Sequence, residues 1–289
     1  KTPDPRPERG RRATHVMCAS PNVQATSAKT AWERHEVKYV IHPAQLPAMR
    51  EFLKPWCVPD PNGSGEFPEY TVTTLQLDTP DLTFYHAKEE ENLNRFKLRI
   101  RTYGTERNHH KVYLEIKRKF RGVIVKTRTT LPTDLYGSHL FSLNGDAVLP
   151  FKSEGERNNY YEFLRVMREL NCEPKVLIRY KRESYFGTND HYARITFDRE
   201  ITYRPTRDYD LWPVGGAWWS IDSATVLNRP FSGLVLEIKT YDEVPAWIED
   251  MIQTFSLTRA GYCKYHNAIR MELLFTGTAY SESSETSFG

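Results

Sequence analysis

Residues 95–101 read Arg-Phe-Lys-Leu-Arg-Ile-Arg, with a cation at every second position. In an extended chain, successive side chains point to opposite faces. Arg95, Lys97, Arg99 and Arg101 therefore share one face, and Phe96, Leu98 and Ile100 share the other. Cations crowded on one face repel unless an anion lies among them. Arginine offers a planar fork for bidentate phosphate contacts, and lysine offers a point charge. The chemistry that suits this pattern is the holding of phosphate inside a sheet.

The pattern recurs along the chain. Arg34, Glu36 and Lys38 share a face, as do Tyr113, Glu115, Lys117 and Lys119 opposite Leu114 and Ile116. Lys126 and Arg128 alternate with Val125 and Thr127. Tyr180 and Arg182 share a face; Arg194, Thr196 and Asp198 oppose Ile195 and Phe197. Glu237 and Lys239 oppose Leu236 and Ile238. One such strand is an ordinary solvated sheet face. The same alternation in so many strands points to a shared phosphate site. A few carboxylates among many cations suit a divalent metal that bridges phosphate oxygens. No Ser/His/Asp set is evident, and phosphoryl transfer needs mainly positioning and charge neutralisation. The pair His109-His110 falls in a turn, and Glu89-Glu90-Glu91 reads as a solvated charge run.

These residues need strands to carry them. The spacing predicts strands near 33–41, 70–78, 94–103, 111–119, 122–130, 175–185, 192–203 and 232–240. Helices are expected near 43–56, 132–140, 156–170, 244–254 and 258–273, with a loop over 59–65. The fold class is α+β: a closed antiparallel barrel of about eight strands, with a polar, basic lumen and flanking helices. Residues 1–30 and 276–289 read as disordered tails around one domain at 31–275. Trp212, Trp218 and Trp219 sit in an insertion at 205–230, expected to pack onto the barrel.

The chain has 289 residues, 39% of them hydrophobic, which suffices for a sizeable core. A net charge of +3 is too mild for a nonspecific nucleic-acid binder, so no nucleic-acid partner is expected. No apolar run approaches the ~18 residues of a membrane helix. Cys18, Cys57, Cys172 and Cys263 form no CxxC pair, and reduced thiols in a cytoplasmic protein are the expectation.

Several segments, taken in order, resemble a known family. They are Glu33-Arg34-His35-Glu36-Val37-Lys38-Tyr39-Val40, Leu75-Gln76-Leu77-Asp78-Thr79, Asn94 through Tyr103, and Leu114-Glu115-Ile116-Lys117-Arg118-Lys119. Tyr180 through Tyr185, Arg194 through Asp198, and Leu236-Glu237-Ile238-Lys239 complete the set. Together they resemble the VTC domain, the polyphosphate polymerase module of the triphosphate tunnel metalloenzyme (CYTH-like) superfamily. The resemblance covers about residues 31–270.

That resemblance implies a tunnel that binds ATP and a growing inorganic polyphosphate or pyrophosphate, with Mn²⁺ or Mg²⁺ as cofactor. It implies phosphate-handling roles for Lys38, Arg99, Arg101, Lys117 and Arg182, a lumen role for Tyr180, and a metal-ligand role for Glu237. Lys264 resembles the lysine of the family's C-terminal helix, although Cys263 stands where a serine is frequent. Glu36, Lys97, Lys119, Lys126, Arg128, Arg194 and Lys239 share those faces and are expected to contact substrate. The triphosphatase and cyclase branch resembles Glu-x-Glu-x-Lys in its first strand. Here Arg34 precedes Glu36, which favours the polymerase-like branch. A metal-dependent tri- or polyphosphatase and a non-catalytic polyphosphate-binding module remain the alternatives.

Overall fold

The alternating segments become strands of one antiparallel sheet. The computed structural model describes residues 35–107, 111–120, 123–141, 149–189, 192–228, 233–241 and 243–277. The chain runs through β1 (His35–Ile41), a 3-10 turn, α1 (Leu46–Leu53), β2 (Cys57–Pro59), β3 (Glu69–Asp78) and α2 (Thr83–Glu89). Next come β4 (Arg95–Tyr103), β5 (Lys111–Phe120), β6 (Val123–Pro132), two 3-10 turns and α3 (Glu154–Glu169). The chain then forms β7 (Glu173–Gly187), β8 (Ala193–Pro205), β9 (Trp219–Ser220), α4 (Ala224–Leu227), β10 (Leu234–Thr240), α5 (Ala246–Thr254) and α6 (Lys264–Thr276). The tail expected at 1–30, that beyond Gly277, and His109-His110 lie outside the described residues. Among the described residues, no helix is long and apolar enough to cross a membrane.

The strand order is β1-β10-β8-β7-β3-β4-β5-β6, with β2 on β7 and β9 on β8. Lys117 on β5 donates to Glu36 on β1 at 3.4 Å. Those strands are six ladder spacings apart, roughly 29 Å on a flat sheet. The sheet is therefore strongly curled, with the charged faces inside.

The barrel is open, not closed as the sequence pattern suggested. No β1–β6 ladder forms among the described residues. The reason lies in residues 259–263, expected to be helical but running extended beside β1. Tyr39 forms a bridge with Arg259, and Ala260 N–H donates to the Lys38 carbonyl at 2.8 Å. This connector occupies the edge that β6 would need. The structure is an open half-barrel with flanking helices.

Three apolar clusters hold the curl. Leu75, Leu98, Ile100, Leu114 and Ile116 pack beneath α3, which supplies Tyr160, Phe163, Leu164 and Met167. Those helix positions recur at three- and four-residue steps, so one face is apolar. The Ser153 side chain caps α3 by accepting from Glu156 N–H at 3.1 Å. Ile195, Phe197, Leu236 and Ile238 pack under α1 and α5. The third cluster lies on the lumen face. There Val72, Ile178, Tyr180, Ile201 and Tyr203 receive Tyr265, Ala268 and Ile269 of α6.

A bulge makes the third cluster possible. Lys181 pairs with Arg199, whereas Arg179 pairs with Thr202, so β8 carries an extra residue there. Glu200 takes a φ of 52° at this point. The strand's phase shifts, and Ile201 and Tyr203 join the face that Asp198 occupies upstream. Ile201 N–H donates to the buried Asp222 carboxylate at 2.8 Å.

The insertion packs onto the domain as expected. Trp212 meets Tyr136 edge-on at 6.0 Å, and the Arg179 guanidinium lies 4.3 Å from the Trp218 ring centre. Short elements the pattern did not mark are β2, β9, α2 and α4.

On the outer face, Arg50 of α1 donates to both oxygens of Glu183 at 2.8 and 2.7 Å, and the Glu183 side chain is fully buried. Removing one partner of such a pair strands a buried charge, at a cost of about 3–5 kcal/mol. Arg50→Ala is expected to lower unfolding free energy by about 3 kcal/mol in urea titration; a loss below about 1 kcal/mol would show that the pair does not anchor α1.

Candidate functional site

The concave face holds a cavity of about 120 Å³, room for several waters or a small anion. Lys97, Arg99 and Arg101 of β4 and Lys117 of β5 form one wall. Lys38 of β1, Lys239 of β10, Arg182 of β7 and Lys264 of α6 form the rest of its cationic lining. Among the described residues, two carboxylates line it, Glu36 and Glu237. A second cavity of about 270 Å³ adjoins it, sharing Glu36, Lys38, Lys97, Lys117 and Cys263. It adds Lys88, Arg95, Lys119 and Arg259, and among the described residues Glu36 is its only lining carboxylate. The two cavities form one cationic channel. Arg95 lies at its outer end, six residues from Arg101, a span of roughly 20 Å.

Carboxylates hold the wall cations in defined places. Glu115 is buried, accepts from Arg99 Nε at 2.6 Å and pairs with Lys126 at 2.8 Å, Arg128 at 3.4 Å and Arg101 at 4.0 Å. Burial opposes its charge, but Arg99, Arg101 and Lys126 hold its pKa far below the usual carboxylate range. Asp198 is fully buried, takes the Arg182 fork at 2.6 and 2.7 Å, and accepts from Lys264 Nζ at 2.6 Å. Burial again opposes ionisation, and Arg182 and Lys264 bring Asp198 down from 3.8 to about 2. Lys264 also lies 4.6 Å from the Tyr180 ring centre.

The opposite wall is looser. Lys38 pairs with Glu36 at 3.1 Å and Glu237 at 3.6 Å, and Lys239 also contacts Glu237. Burial and the Glu237 charge push the Glu36 pKa up. Lys38, Lys117 and Lys239 outweigh them and set it at about 2. Lys117 shows the converse: burial first, then Lys97, Lys38 and Arg99, lower its pKa despite Glu36. Burial is the main cause, and the neighbouring cations add to it. Arg101 Nε, Thr74 Oγ1 and Thr196 Oγ1 are buried with no protein hydrogen-bond partner. Buried polar atoms are normally satisfied, so these suit the oxygens of a polar ligand.

Lys264 and Cys263 owe their positions to α6, and α6 is fixed by Asp78. This buried carboxylate accepts from Tyr265 Oη at 2.6 Å and from the N–H groups of Thr79, Phe84 and Tyr85. Sequence reasoning missed Asp78, whose signal was a carboxylate ending an apolar strand just before a helix. It also missed Arg259, which lies in no alternating run. Cys263 touches the Lys97 ammonium at 3.3 Å. Burial raises the thiol, but Lys97, the His266 N–H and Lys38 bring it to about 6. Cys57, Cys172 and Cys263 are buried thiols outside any disulfide.

Most of the expected residues meet in the channel. Lys38, Arg99, Arg101, Lys117, Arg182, Lys264, Glu36, Lys97, Tyr180, Lys239 and Glu237 line the first cavity, and Lys119 the second. Lys126 and Arg128 line neither cavity; both pair with Glu115. Arg194 also stands aside, held by Asp60 at 2.9 Å, Tyr70 Oη at 3.1 Å and Ser184 Oγ at 3.2 Å.

Among the described residues, no three His, Cys, Asp or Glu side chains cluster as a metal cage. Glu36 and Glu237 supply two hard oxygen donors on one wall. Such a pair fits Mg²⁺ or Mn²⁺ when phosphate oxygens and water complete the shell, the usual arrangement at phosphate sites.

Comparison with known families finds a match of residues 33–273 to the VTC domain. Comparison with curated proteins gives no match. Among solved structures, the PH1819 protein from Pyrococcus horikoshii OT3 aligns at 13% identity and TM-score 0.43. The alignment covers 83% of this chain and 99% of that one. The Hippeastrum protein HpAC1, described as revealing a dominant triphosphatase activity, aligns at 13% identity and TM-score 0.42. It covers 84% of this chain and 95% of that one.

Glu36 and Asp198 are more acidic in the fold than their ordinary values of 4.5 and 3.8. Depressed carboxylate pKa values contribute stability above the unfolded pKa and lose it as pH falls through the folded one. Calorimetry should therefore show Tm falling steeply from pH 5 toward pH 2. Asp198→Asn should start lower at pH 7 and fall less steeply; an unchanged slope would remove Asp198 from the acid response.

Proposed function

The chain belongs to the VTC domain family, and from that premise and the channel's charge we propose a polyphosphate polymerase-type phosphotransferase. It moves the γ-phosphate of ATP onto an inorganic polyphosphate chain. The observation that carries this reading is the pair of cationic cavities side by side, with Lys38, Lys97 and Lys117 in the lining of both. In-line displacement places the attacking and leaving oxygens on opposite sides of the transferred phosphorus. A hydrolase needs only water on the attacking side. Here that side is a second cavity lined by Arg95, Lys119 and Arg259, which suits an anionic acceptor chain.

The roles follow from position. Arg99 and Arg101, held by Glu115, and Arg182 and Lys264, held by Asp198, form a fixed frame for the triphosphate. Cations set before substrate arrives stabilise developing charge without reorganising during reaction. Lys97 and Lys117 stand where both cavities meet and neutralise the oxygens of donor and acceptor phosphates together. Lys38 and Lys239 release Glu36 and Glu237 when phosphate takes their charge. Those carboxylates would then hold a Mn²⁺ or Mg²⁺ ion, which supplies charge neutralisation at the phosphate oxygens. A terminal phosphate is already ionised enough to attack, so the reaction needs no strong general base.

Purified protein with ATP and Mn²⁺ is expected to yield ADP and long polyphosphate, resolved by gel electrophoresis. Glu237→Ala should abolish the product, and Arg101→Ala should cut kcat/KM by about 10²–10³. Release of free phosphate without polymer would assign the channel to a triphosphatase. Tight polyphosphate binding that survives EDTA, with no turnover, would assign it to a binding module.

A further inference from the structure

The two ends of the channel differ in kind. The outer end is cationic, with Arg95, Lys119 and Arg259. The end past Arg101 is aromatic. Tyr103 lies two residues beyond Arg101 on the same face of β4, roughly 7 Å on. Tyr113 faces Arg101 across the β4–β5 ladder, and Tyr70 faces Arg182 across the β3–β7 ladder. The ring centres of Tyr70 and Tyr103 are 5.5 Å apart at 74°, and those of Tyr103 and Tyr113 are 5.6 Å apart at 79°. All three are partly exposed. The rings meet edge to face and not in parallel stacks, and the Arg128 guanidinium lies over the Tyr113 ring at 3.8 Å from its centre.

We propose that the rim of Tyr70, Tyr103 and Tyr113 is the subsite for the nucleoside of a nucleoside triphosphate, so that the donor lies with its base at this end and its γ-phosphate toward the outer cavity. This rests on the reading of the channel as a triphosphate site. Phosphates belong among the cations, and a neutral base gains nothing there. It gains from the face of a tyrosine, because every base has a π-face that stacks on an aromatic ring. The outer end carries excess charge, so the acceptor polyanion belongs there and the uncharged nucleoside at the opposite end. The polar groups beside the rim are engaged elsewhere, Arg194 with Asp60 at 2.9 Å and Arg128 with Glu115 at 3.4 Å. Little remains to read the edge of a base, so the subsite accepts purines of either kind.

The test is binding, measured by calorimetry on the full chain without added divalent metal, with ATP, GTP and tripolyphosphate as probes. Tyr103→Leu and Tyr113→Leu should each raise the Kd for ATP and for GTP about tenfold, equal to about 1.4 kcal/mol. Both should leave the tripolyphosphate Kd within about twofold, which also shows that each variant is folded. Tyr103→Phe, which keeps the ring, should bind ATP within about threefold of the original chain. Equal weakening for ATP and tripolyphosphate would overturn the subsite, because the tyrosines would then act through the cations. Unchanged ATP binding with intact tripolyphosphate binding would overturn it alone. Failure of the unaltered chain to bind tripolyphosphate would overturn the channel's phosphate reading and this inference together.

Discussion

An excess of buried positive charge governs this structure. Among the described residues, eight cations line the first cavity against two carboxylates. At a separation of 4 Å, like charges repel by roughly 4 kcal/mol at the effective dielectric of a protein surface. Such a lumen stands only if its charges are held apart, clamped by a few carboxylates or completed by an anion. Glu115 and Asp198 act as clamps on one side of the channel. On the other side Lys38 and Lys239 borrow Glu36 and Glu237, which phosphate would set free. The split between a fixed frame and an exchangeable one would let such a wall both grip a phosphate chain and let it pass.

The fold supports that wall from three directions. Two apolar clusters lie on the outer face, under α3 and under α1 with α5. They press the strands into a curl. The third lies inside, where α6 covers the apolar part of the lumen face. One strand serves both inner surfaces only because the bulge at Glu200 changes its phase. Upstream, β8 offers Asp198 to the cations; downstream it offers Ile201 and Tyr203 to α6. The bulge thus divides the lumen into a wet half and a dry half.

Much of this was legible in the sequence because period-two alternation is a local signal. Arg95 through Arg101 announced a strand with a charged face, and the order of such strands announced a shared lumen. What stayed hidden depends on distant partners. Lys126 and Arg128 look like Arg99 and Arg101 by spacing, yet Glu115 of the neighbouring strand claims them. Arg194 carries the same signal but is taken by Asp60, a residue of the loop before β3. Closure failed as an expectation for a similar reason. Residues 259–263 look helical in sequence but serve as a partner for β1, a long-range pairing with no local mark.

That connector changes the topology of the channel. In a wall bonded all round by ladders, a polymer is threaded like a bead on a string and leaves only by its end. Its escape time then grows with its length. Here the connector is bridged to β1 at Tyr39 and Arg259, and among the described residues the seam facing β4 and β5 is joined by side-chain contacts, Lys117 to Glu36 and Lys97 to Cys263 among them. Breaking those contacts would open a lateral slot, and a polymer inside would no longer be linked to the protein. Release sideways would then be set by the strength of the seam and not by how long the polymer had become.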